Sequence, residues 1–160
     1  MTGRHSVNPR PTLGARVLAA RHRLVAAGID EREVALDAEV LARHVLGWDR
    51  AGYFSRARDP IPPAFDEQFD PLIERRCRRE PVAQITGYRE FWGLDIVVTP
   101  DVLIPRPESE LLVETAVALL LDRAAPWDVA DVGTGSGCLA VALARELRRA
   151  RVTATDISPT

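Results

Sequence analysis

Residues 131–137 read Asp-Val-Gly-Thr-Gly-Ser-Gly and lie between two patterns of different period. Before them, residues 129–132 are a short apolar run that predicts a buried strand, and the apolar spacing after them predicts a helix through Leu147. Residues 152–156 then predict a second strand. Strand, helix and strand in this order indicate the beginning of a doubly wound α/β sheet with parallel strands.

The glycine loop, residues 133–137, is a candidate ligand site. Its backbone amides and the amino terminus of the following helix can approach a ligand with no side chain in between. Asp156 ends the next strand, 23 residues after Gly133, where its carboxylate can accept bonds from both hydroxyls of a ribose. Two alternatives are open at this point: a tight strand-to-helix turn also needs glycine, and Asp156 can be a solvated strand end.

The spacing of the glycines distinguishes between ligand classes. A dinucleotide-binding loop reads Gly-x-Gly-x-x-Gly, whereas here the third glycine comes one residue early and Cys138 fills its usual place. The phosphate-binding loop of nucleotide hydrolases is excluded, because it requires a lysine followed by serine or threonine. An acid before three alternating glycines, with another acid on the second strand, resembles the S-adenosylmethionine site of Rossmann-type methyltransferases. In that resemblance the glycines cover the methionine portion, Asp131 lies near its ammonium group and Asp156 holds the ribose. The candidate cofactor-binding residues are Asp131, Gly133, Thr134, Gly135, Ser136, Gly137 and Asp156.

Residues 1–80 predict a small helical bundle. Apolar residues at helical spacing predict two helices that end at Gly28 and Gly47, and a capping-box pattern at Asp30 begins the second of them. A short third helix and an amphipathic fourth helix follow. The fourth ends in an arginine cluster at positions 75–79, which suits the carboxyl end of a helix dipole. We interpret this cluster as a solvated helix face, with a rim for an acidic partner as the alternative.

After the bundle, the apolar spacing changes from a helical to a strand period. Residues 81–106 predict a hairpin linker punctuated by glycines, with strand residues from Val82 onward. Residues 107–160 predict the beginning of the α/β domain, whose first helix has a proline in its first turn. Arg106 and Glu108 lie beside that proline in a segment that can fold over a cofactor, so they are possible site-lining residues. A helix cap with a surface arginine is the alternative.

Two stretches of the linker region resemble the peptide chain release factor glutamine methyltransferases very closely. Residues 80–93 read Glu-Pro-Val-Ala-Gln-Ile-Thr-Gly-Tyr-Arg-Glu-Phe-Trp-Gly, and residues 99–110 read Thr-Pro-Asp-Val-Leu-Ile-Pro-Arg-Pro-Glu-Ser-Glu. The resemblance implies a small amino-terminal helical bundle, a β-hairpin linker and the start of a Rossmann-like class I methyltransferase domain. It also implies methylation of the glutamine side-chain amide in the Gly-Gly-Gln loop of release factors, with S-adenosylmethionine as donor. The bundle would then help to dock the release factor.

The sequence departs from the family pattern in two places. Ser109 stands where the family usually has threonine, and the catalytic Asn-Pro-Pro-Tyr motif of the family does not occur in residues 1–160. We therefore expect residues 1–160 alone to lack the catalytic loop, and we nominate no catalytic residue. His5, His22 and His44 are interpreted as solvated or core residues. Two alternatives stay open: a docking module without catalysis, and another amino-group methyltransferase of the same fold.

Composition narrows the class of protein. The 160 residues are 46% hydrophobic and 28% charged, which is typical of a globular chain with one domain or a small domain and part of another. A net charge of −2 and the absence of lysine argue against nucleic-acid binding. Two cysteines without paired spacing predict no metal site and a reducing compartment. With no long apolar run, we expect a cytoplasmic protein without a membrane span, monomeric when complete.

Overall fold

The computed structural model describes residues 11–120 and 122–158. The chain divides into two compact units, Met1–Thr86 and Gly87–Thr160, which we call the helical unit and the α/β unit. His5 and Leu121 lie outside the described residues.

The helical unit is built from five helices within its described residues. Side chains cap the amino ends of the first three: Thr12, Asp30 and Asp49 each accept a backbone N–H from the first turn that follows. Gly47 adopts a left-handed conformation, with φ of 63°, and ends the second helix as the sequence predicts. The helices are α1 (Leu13–Ala26), α2 (Glu31–Leu46), α3 (Arg50–Ser55), α4 (Phe65–Cys77) and α5 (Val82–Thr86).

The fifth helix corrects one prediction. Val82 and Ile85 were expected to begin the hairpin as strand residues, and this is wrong because residues 82–86 are helical. The carbonyl of Pro81 accepts the N–H groups of Gln84 and Ile85 at 3.0 Å each, which closes a helical turn. The two apolar residues are three positions apart, so a helix also places them near one another. Ile85 is thereby buried in the core of the helical unit.

The core of the helical unit is a continuous apolar cluster formed by all five helices and the turns between them. The predicted stripes of α1, α2 and α4 supply most of it, which confirms that these helices are amphipathic. Its buried members are Leu13, Val17, Ala20, Leu24, Ile29, Val34, Ala38, Leu41, Ala42, Tyr53, Phe65, Phe69, Ile73 and Ile85.

The α/β unit begins with the predicted hairpin. Strands β1 (Tyr88–Phe91) and β2 (Leu94–Val97) pair antiparallel, with Tyr88 opposite Val97. The hairpin turn, residues 92–93, has positive φ at both positions, 55° at Trp92 and 67° at Gly93. This is the backbone that two-residue hairpins prefer, but a bulky residue such as tryptophan rarely adopts it.

Side chains from two helices hold the hairpin turn. The carboxylate of Glu110 accepts the backbone N–H of Trp92 at 2.8 Å, and that of Glu146 accepts the indole N–H at 3.0 Å. Arg145 donates to the carbonyl of Gly93 at 3.1 Å. Glu110 begins α6 (Glu110–Leu119), which follows a 3₁₀ turn at Pro107–Ser109, and the other two belong to α7 (Cys138–Glu146). These bonds fix a backbone conformation that tryptophan would otherwise avoid.

The remaining elements confirm the predicted order of strand, helix and strand, but the burial predicted for residues 129–132 is wrong, because every residue of the first of these strands is exposed or half-buried. Strand β3 (Asp128–Val132) and strand β4 (Arg151–Thr155) are parallel, with Asp128 opposite Arg151 and Val132 opposite Thr155. Helix α7 lies between them in sequence. The fold class is therefore a helical bundle, a hairpin and the start of a Rossmann-like α/β domain. The core of this unit lies between the hairpin, α6 and α7, and its buried members are Phe91, Ile96, Val113, Val117, Cys138 and Ala142.

Candidate functional site

The glycine loop connects β3 to α7, and its conformation requires glycine. Gly133, Gly135 and Gly137 have φ of 79°, 53° and 77°, which are left-handed values. A side chain in this region costs about 1–2 kcal/mol. A Cβ placed on any of the three would meet no atom within 4 Å. Backbone conformation rather than crowding therefore selects glycine here, and the space beside the loop is open to an approaching molecule.

The end of β4 anchors the loop. The carbonyl of Thr155 accepts the N–H groups of both Gly133 and Thr134, at 2.8 and 2.9 Å. Within the loop, the N–H of Gly137 donates to the carbonyl of Thr134 at 2.9 Å. Because the carboxyl ends of parallel strands meet at one edge of a sheet, these bonds bring the loop beside the residue that follows β4. That residue is Asp156.

The carboxylate of Asp156 is bonded directly to the glycine loop. One oxygen, Oδ2, accepts the N–H of Gly135 at 2.8 Å, and the other, Oδ1, accepts the N–H of Ser158 at 2.9 Å. These backbone N–H groups, Ser158 first and then Gly135, hold the pKa of Asp156 below its usual value although the side chain is exposed. The group is therefore an ionised acceptor at neutral pH.

Asp131 is a half-buried residue near the end of β3. Its Oδ2 accepts the hydroxyl of Thr134 at 2.7 Å. The structure thus brings together the seven predicted residues, since Asp131 and Asp156 are each bonded to the loop that contains the other five. Sequence reasoning missed both of these bonds. The position of an acid after the strand adjacent to the loop was the available signal for the bond from Asp156.

The two predicted lining residues lie in the segment before α6. Arg106 precedes the 3₁₀ turn and Glu108 lies within it, and both are exposed. The turn starts at Pro107, as expected for the first turn of a helix. A site-lining role for Arg106 and Glu108 stays a prediction.

His22, His44 and the arginine cluster belong to the helical unit. His22 and His44 are exposed on α1 and α2. In the arginine cluster, Arg75 pairs with Glu80, and Arg76 donates to Asp37 at 2.7 Å and to Glu33 at 3.0 Å. The cluster borders an open cleft of about 550 Å³, whose lining comprises Gly28, Ile29, Asp30, Glu33, Arg76 and Arg79. Two of the four arginines in the cluster, Arg75 and Arg76, therefore form ion pairs within the helical unit.

Residues 11–120 and 122–158 contain no group of three or more histidine, cysteine, aspartate or glutamate side chains that could hold a metal ion. In the same ranges, every helix is too short or too polar to cross a membrane.

Comparison with known proteins finds similar sequences that share one name. The family model described as the PrmC N-terminal domain matches residues 17–87. The chain is 51% identical over 124 residues to a release factor glutamine methyltransferase of Burkholderia pseudomallei. The aligned region covers 78% of this chain and 43% of that protein. It is 45% identical over 142 residues to the enzyme of the same name from Cereibacter sphaeroides, covering 88% of this chain and 48% of that protein.

A third relative agrees with these two. A release factor glutamine methyltransferase of Moorella thermoacetica is 44% identical over 140 residues, with 88% of this chain and 48% of that protein covered. The chain thus spans about half the length of the curated relatives it matches. The matched region extends beyond the helical unit into the α/β unit, because 140 residues exceed the 86 of the helical unit. Residues 17–87 thus match the PrmC N-terminal domain, and the chain is 44–51% identical to three release factor glutamine methyltransferases over about half of their length.

Proposed function

We propose that this chain forms the cofactor-binding and substrate-docking part of an S-adenosylmethionine-dependent methyltransferase. The substrate is the glutamine side-chain amide in the Gly-Gly-Gln loop of release factors, which places the reaction in the cytoplasm. One observation carries the proposal: two carboxylates flank an open glycine loop, each bonded to it, Asp131 at 2.7 Å and Asp156 at 2.8 Å. The names of the relatives supply the substrate class.

The residues present suit the two ends of this donor. Asp156 is an ionised acceptor and can receive hydrogen bonds from the ribose hydroxyls, while Asp131 can pair with the ammonium group of the methionine portion. Gly133, Gly135 and Gly137 leave the loop open to the chain between these ends. When bound, the donor supplies an electrophilic methyl group on a sulfonium. The chain itself binds and orients the donor.

The rest of the chain has supporting roles in this proposal. Residues 1–80 dock the release factor, residues 81–106 form the hairpin linker, and residues 107–160 begin the methyltransferase domain. Arg106 and Glu108 line the site from the exposed segment before α6. An amide nitrogen is a weak nucleophile because its lone pair is delocalised, so the reaction needs acceptors that align it with the methyl group. We assign that role to no residue of this chain.

Removal of the Asp156 carboxylate tests the donor site. In the full-length protein, we expect Asp156→Ala to weaken S-adenosylmethionine binding roughly 10- to 100-fold by calorimetry, since each charge-assisted hydrogen bond contributes about 1.5–3 kcal/mol. The matched control is Asp128→Ala, which removes the same charge from the opposite end of β3, where Asp128 pairs with Arg151. Unchanged affinity in Asp156→Ala would show that the assigned role is wrong.

A separate experiment tests the substrate. The full-length protein, S-adenosylmethionine and a release factor are incubated, and mass spectrometry is used to locate a single added methyl group on the glutamine of the Gly-Gly-Gln loop. A release factor with that glutamine changed to glutamate is the control and stays unmodified. Methylation elsewhere would favour another amino-group methyltransferase. A stable complex without methylation would favour a docking module.

A further inference from the structure

Thr134 is the most constrained residue of the glycine loop. Its N–H donates to the carbonyl of Thr155 at 2.9 Å, and its own carbonyl accepts the N–H of Gly137, also at 2.9 Å. Its hydroxyl donates to Oδ2 of Asp131 at 2.7 Å. The backbone is therefore fixed on both sides of the side chain, and a β-branched side chain has few χ1 rotamers. The hydroxyl is held at one position relative to Asp131.

We propose that Thr134 is a positioning residue that holds the Asp131 carboxylate in the orientation that receives the positively charged end of the donor. The proposal rests on the function proposed above. An aspartate that is only half-buried can adopt several rotamers, and a bound ligand would have to restrict them. The bond from Thr134 restricts them before the ligand arrives, so less affinity is lost to ordering.

The two carboxylates of the site are held by different kinds of donor. Asp156 is held by the backbone N–H groups of Gly135 and Ser158, which a side-chain substitution does not remove. Asp131 is held by a hydroxyl, which Thr134→Val removes while it keeps the shape of the side chain. The two ends of the donor can therefore be perturbed separately. If the hydroxyl only stabilised the loop, its loss would weaken binding at both ends alike.

Two ligands distinguish binding at the nucleoside end of the donor from binding at its amino-acid end. S-adenosylhomocysteine contains the nucleoside and the amino-acid portion with its ammonium group, whereas methylthioadenosine has the same nucleoside and lacks the amino-acid portion. In the full-length protein, we expect Thr134→Val to weaken S-adenosylhomocysteine about three- to tenfold, the effect of one lost hydrogen bond, and methylthioadenosine by less than about twofold. Thr134→Ser keeps the hydroxyl and should restore the affinity for S-adenosylhomocysteine to within about twofold of the wild type.

A second experiment, in which Thr134→Val is combined with Asp131→Asn, distinguishes the positioning role from an effect on loop stability. In Asp131→Asn, whose side chain has lost its charge, we expect Thr134→Val to change S-adenosylhomocysteine affinity by less than about twofold, because coupled residues are not additive. Thermal unfolding of each variant checks that it folds, and Thr134→Ala replaces Thr134→Val if the latter does not.

The outcomes separate the two proposals. If the wild type binds methylthioadenosine and S-adenosylhomocysteine, and Thr134→Val weakens both equally or neither, the positioning role is overturned and the donor site stands. Failure of Thr134→Ser to restore binding also overturns the positioning role. If the wild-type protein binds neither ligand, the proposed function is wrong, and the inference fails with it.

Discussion

The helical unit and the α/β unit are held together in different ways. Fourteen described residues of the helical unit form one buried apolar cluster, whereas the corresponding cluster of the α/β unit has six. Every residue of β3 and β4 is exposed or half-buried. In the α/β unit, hydrogen bonds fix both the glycine loop of the proposed site and the hairpin turn: Thr155 and Asp156 hold the loop, and Glu110 and Glu146 hold the turn. The packing of apolar side chains therefore determines the structure of the helical unit, whereas polar contacts determine the conformation of the site in the α/β unit.

The largest expected effect is on the apolar cores. Phe69→Ala should lower the free energy of unfolding of the helical unit by about 3–5 kcal/mol, because a fully buried aromatic ring leaves a cavity. Phe91→Ala, at a residue that is equally buried in the smaller cluster, should cost less. Denaturant unfolding measures both. Leu36→Ala, at an exposed position of α2, is the control and should stay within about 0.5 kcal/mol of the wild type. An equal or larger loss for Phe91→Ala would contradict the comparison of the cores.

The next effect concerns the polar contacts of the hairpin turn. Glu146→Ala leaves the indole N–H of Trp92 and the guanidinium of Arg123 without their acceptor, and should destabilise the α/β unit by about 1–3 kcal/mol. Glu110→Ala should have a similar effect through the N–H of Trp92. Denaturant unfolding is the measurement, with Glu114→Ala on the exposed face of α6 as the control. If the two variants were as stable as that control, polar contacts would not hold this turn.

Gly47 and Gly135 allow a direct comparison of the two units, because both glycines have a positive φ. Gly47 has φ of 63° and Gly135 has φ of 53°, and a Cβ at either would meet no atom within 4 Å. Each change to alanine should therefore cost about 1–2 kcal/mol through backbone strain alone. We expect Gly47→Ala to lower the stability of the helical unit, measured by thermal unfolding, and Gly135→Ala to weaken binding of S-adenosylmethionine. Gly47→Asn is the control, because asparagine tolerates this conformation. Full stability of Gly47→Ala would refute the strain argument.

The smallest effect distinguishes two of the carboxylates whose pKa is lowered, Asp70 and Asp156. Partial burial raises the pKa of Asp70, but hydrogen bonds from Arg16 and then Arg23 outweigh it, whereas the backbone N–H groups of Ser158 and Gly135 lower the pKa of Asp156. In both cases the carboxylate is favoured in the folded state. The stability it contributes is full above the ordinary pKa of aspartate and is lost as the pH falls through the lowered value.

We expect added salt to change the pKa of Asp70 more than the pKa of Asp156. Added salt screens the pairing of Asp70 with two guanidinium groups, so its pKa should move back toward the ordinary value. The pKa of Asp156 should change less, because its partners are uncharged amides. Titration of the two side-chain carbons by NMR at low and high salt measures this. Equal salt dependence would contradict the assignment of different causes.

Much of the fold follows from local patterns. The helices of the bundle, the hairpin and the order of β3, α7 and β4 were predicted because apolar period, caps and glycines act within a few residues. The strand expected from Val82 was wrong, since a five-residue segment with only three apolar residues fits either period. What resolves it is burial of Ile85 against helices far away in the chain.

The site shows the same division. The spacing of glycines and acids predicts its seven residues, because a strand-to-helix turn with an acid after the next strand is a local signature. Their role in binding stays a prediction. The bonds within it were not found. Gly135 and Asp156 are 21 positions apart, so their contact exists only once the strands and the helix between them are packed. The bond between Trp92 and Glu146 in the hairpin turn, 54 positions apart, depends on packing in the same way.

The amino-acid order alone therefore specified which residues could form the candidate site, since backbone propensity and side-chain chemistry belong to each residue and its near neighbours. Packing alone settled how these residues are oriented: which donor each carboxylate accepts, that a tryptophan adopts positive φ, and that residues 82–86 are helical. The reason is physical. Such choices differ by only a few kcal/mol locally, and contacts between distant segments contribute as much.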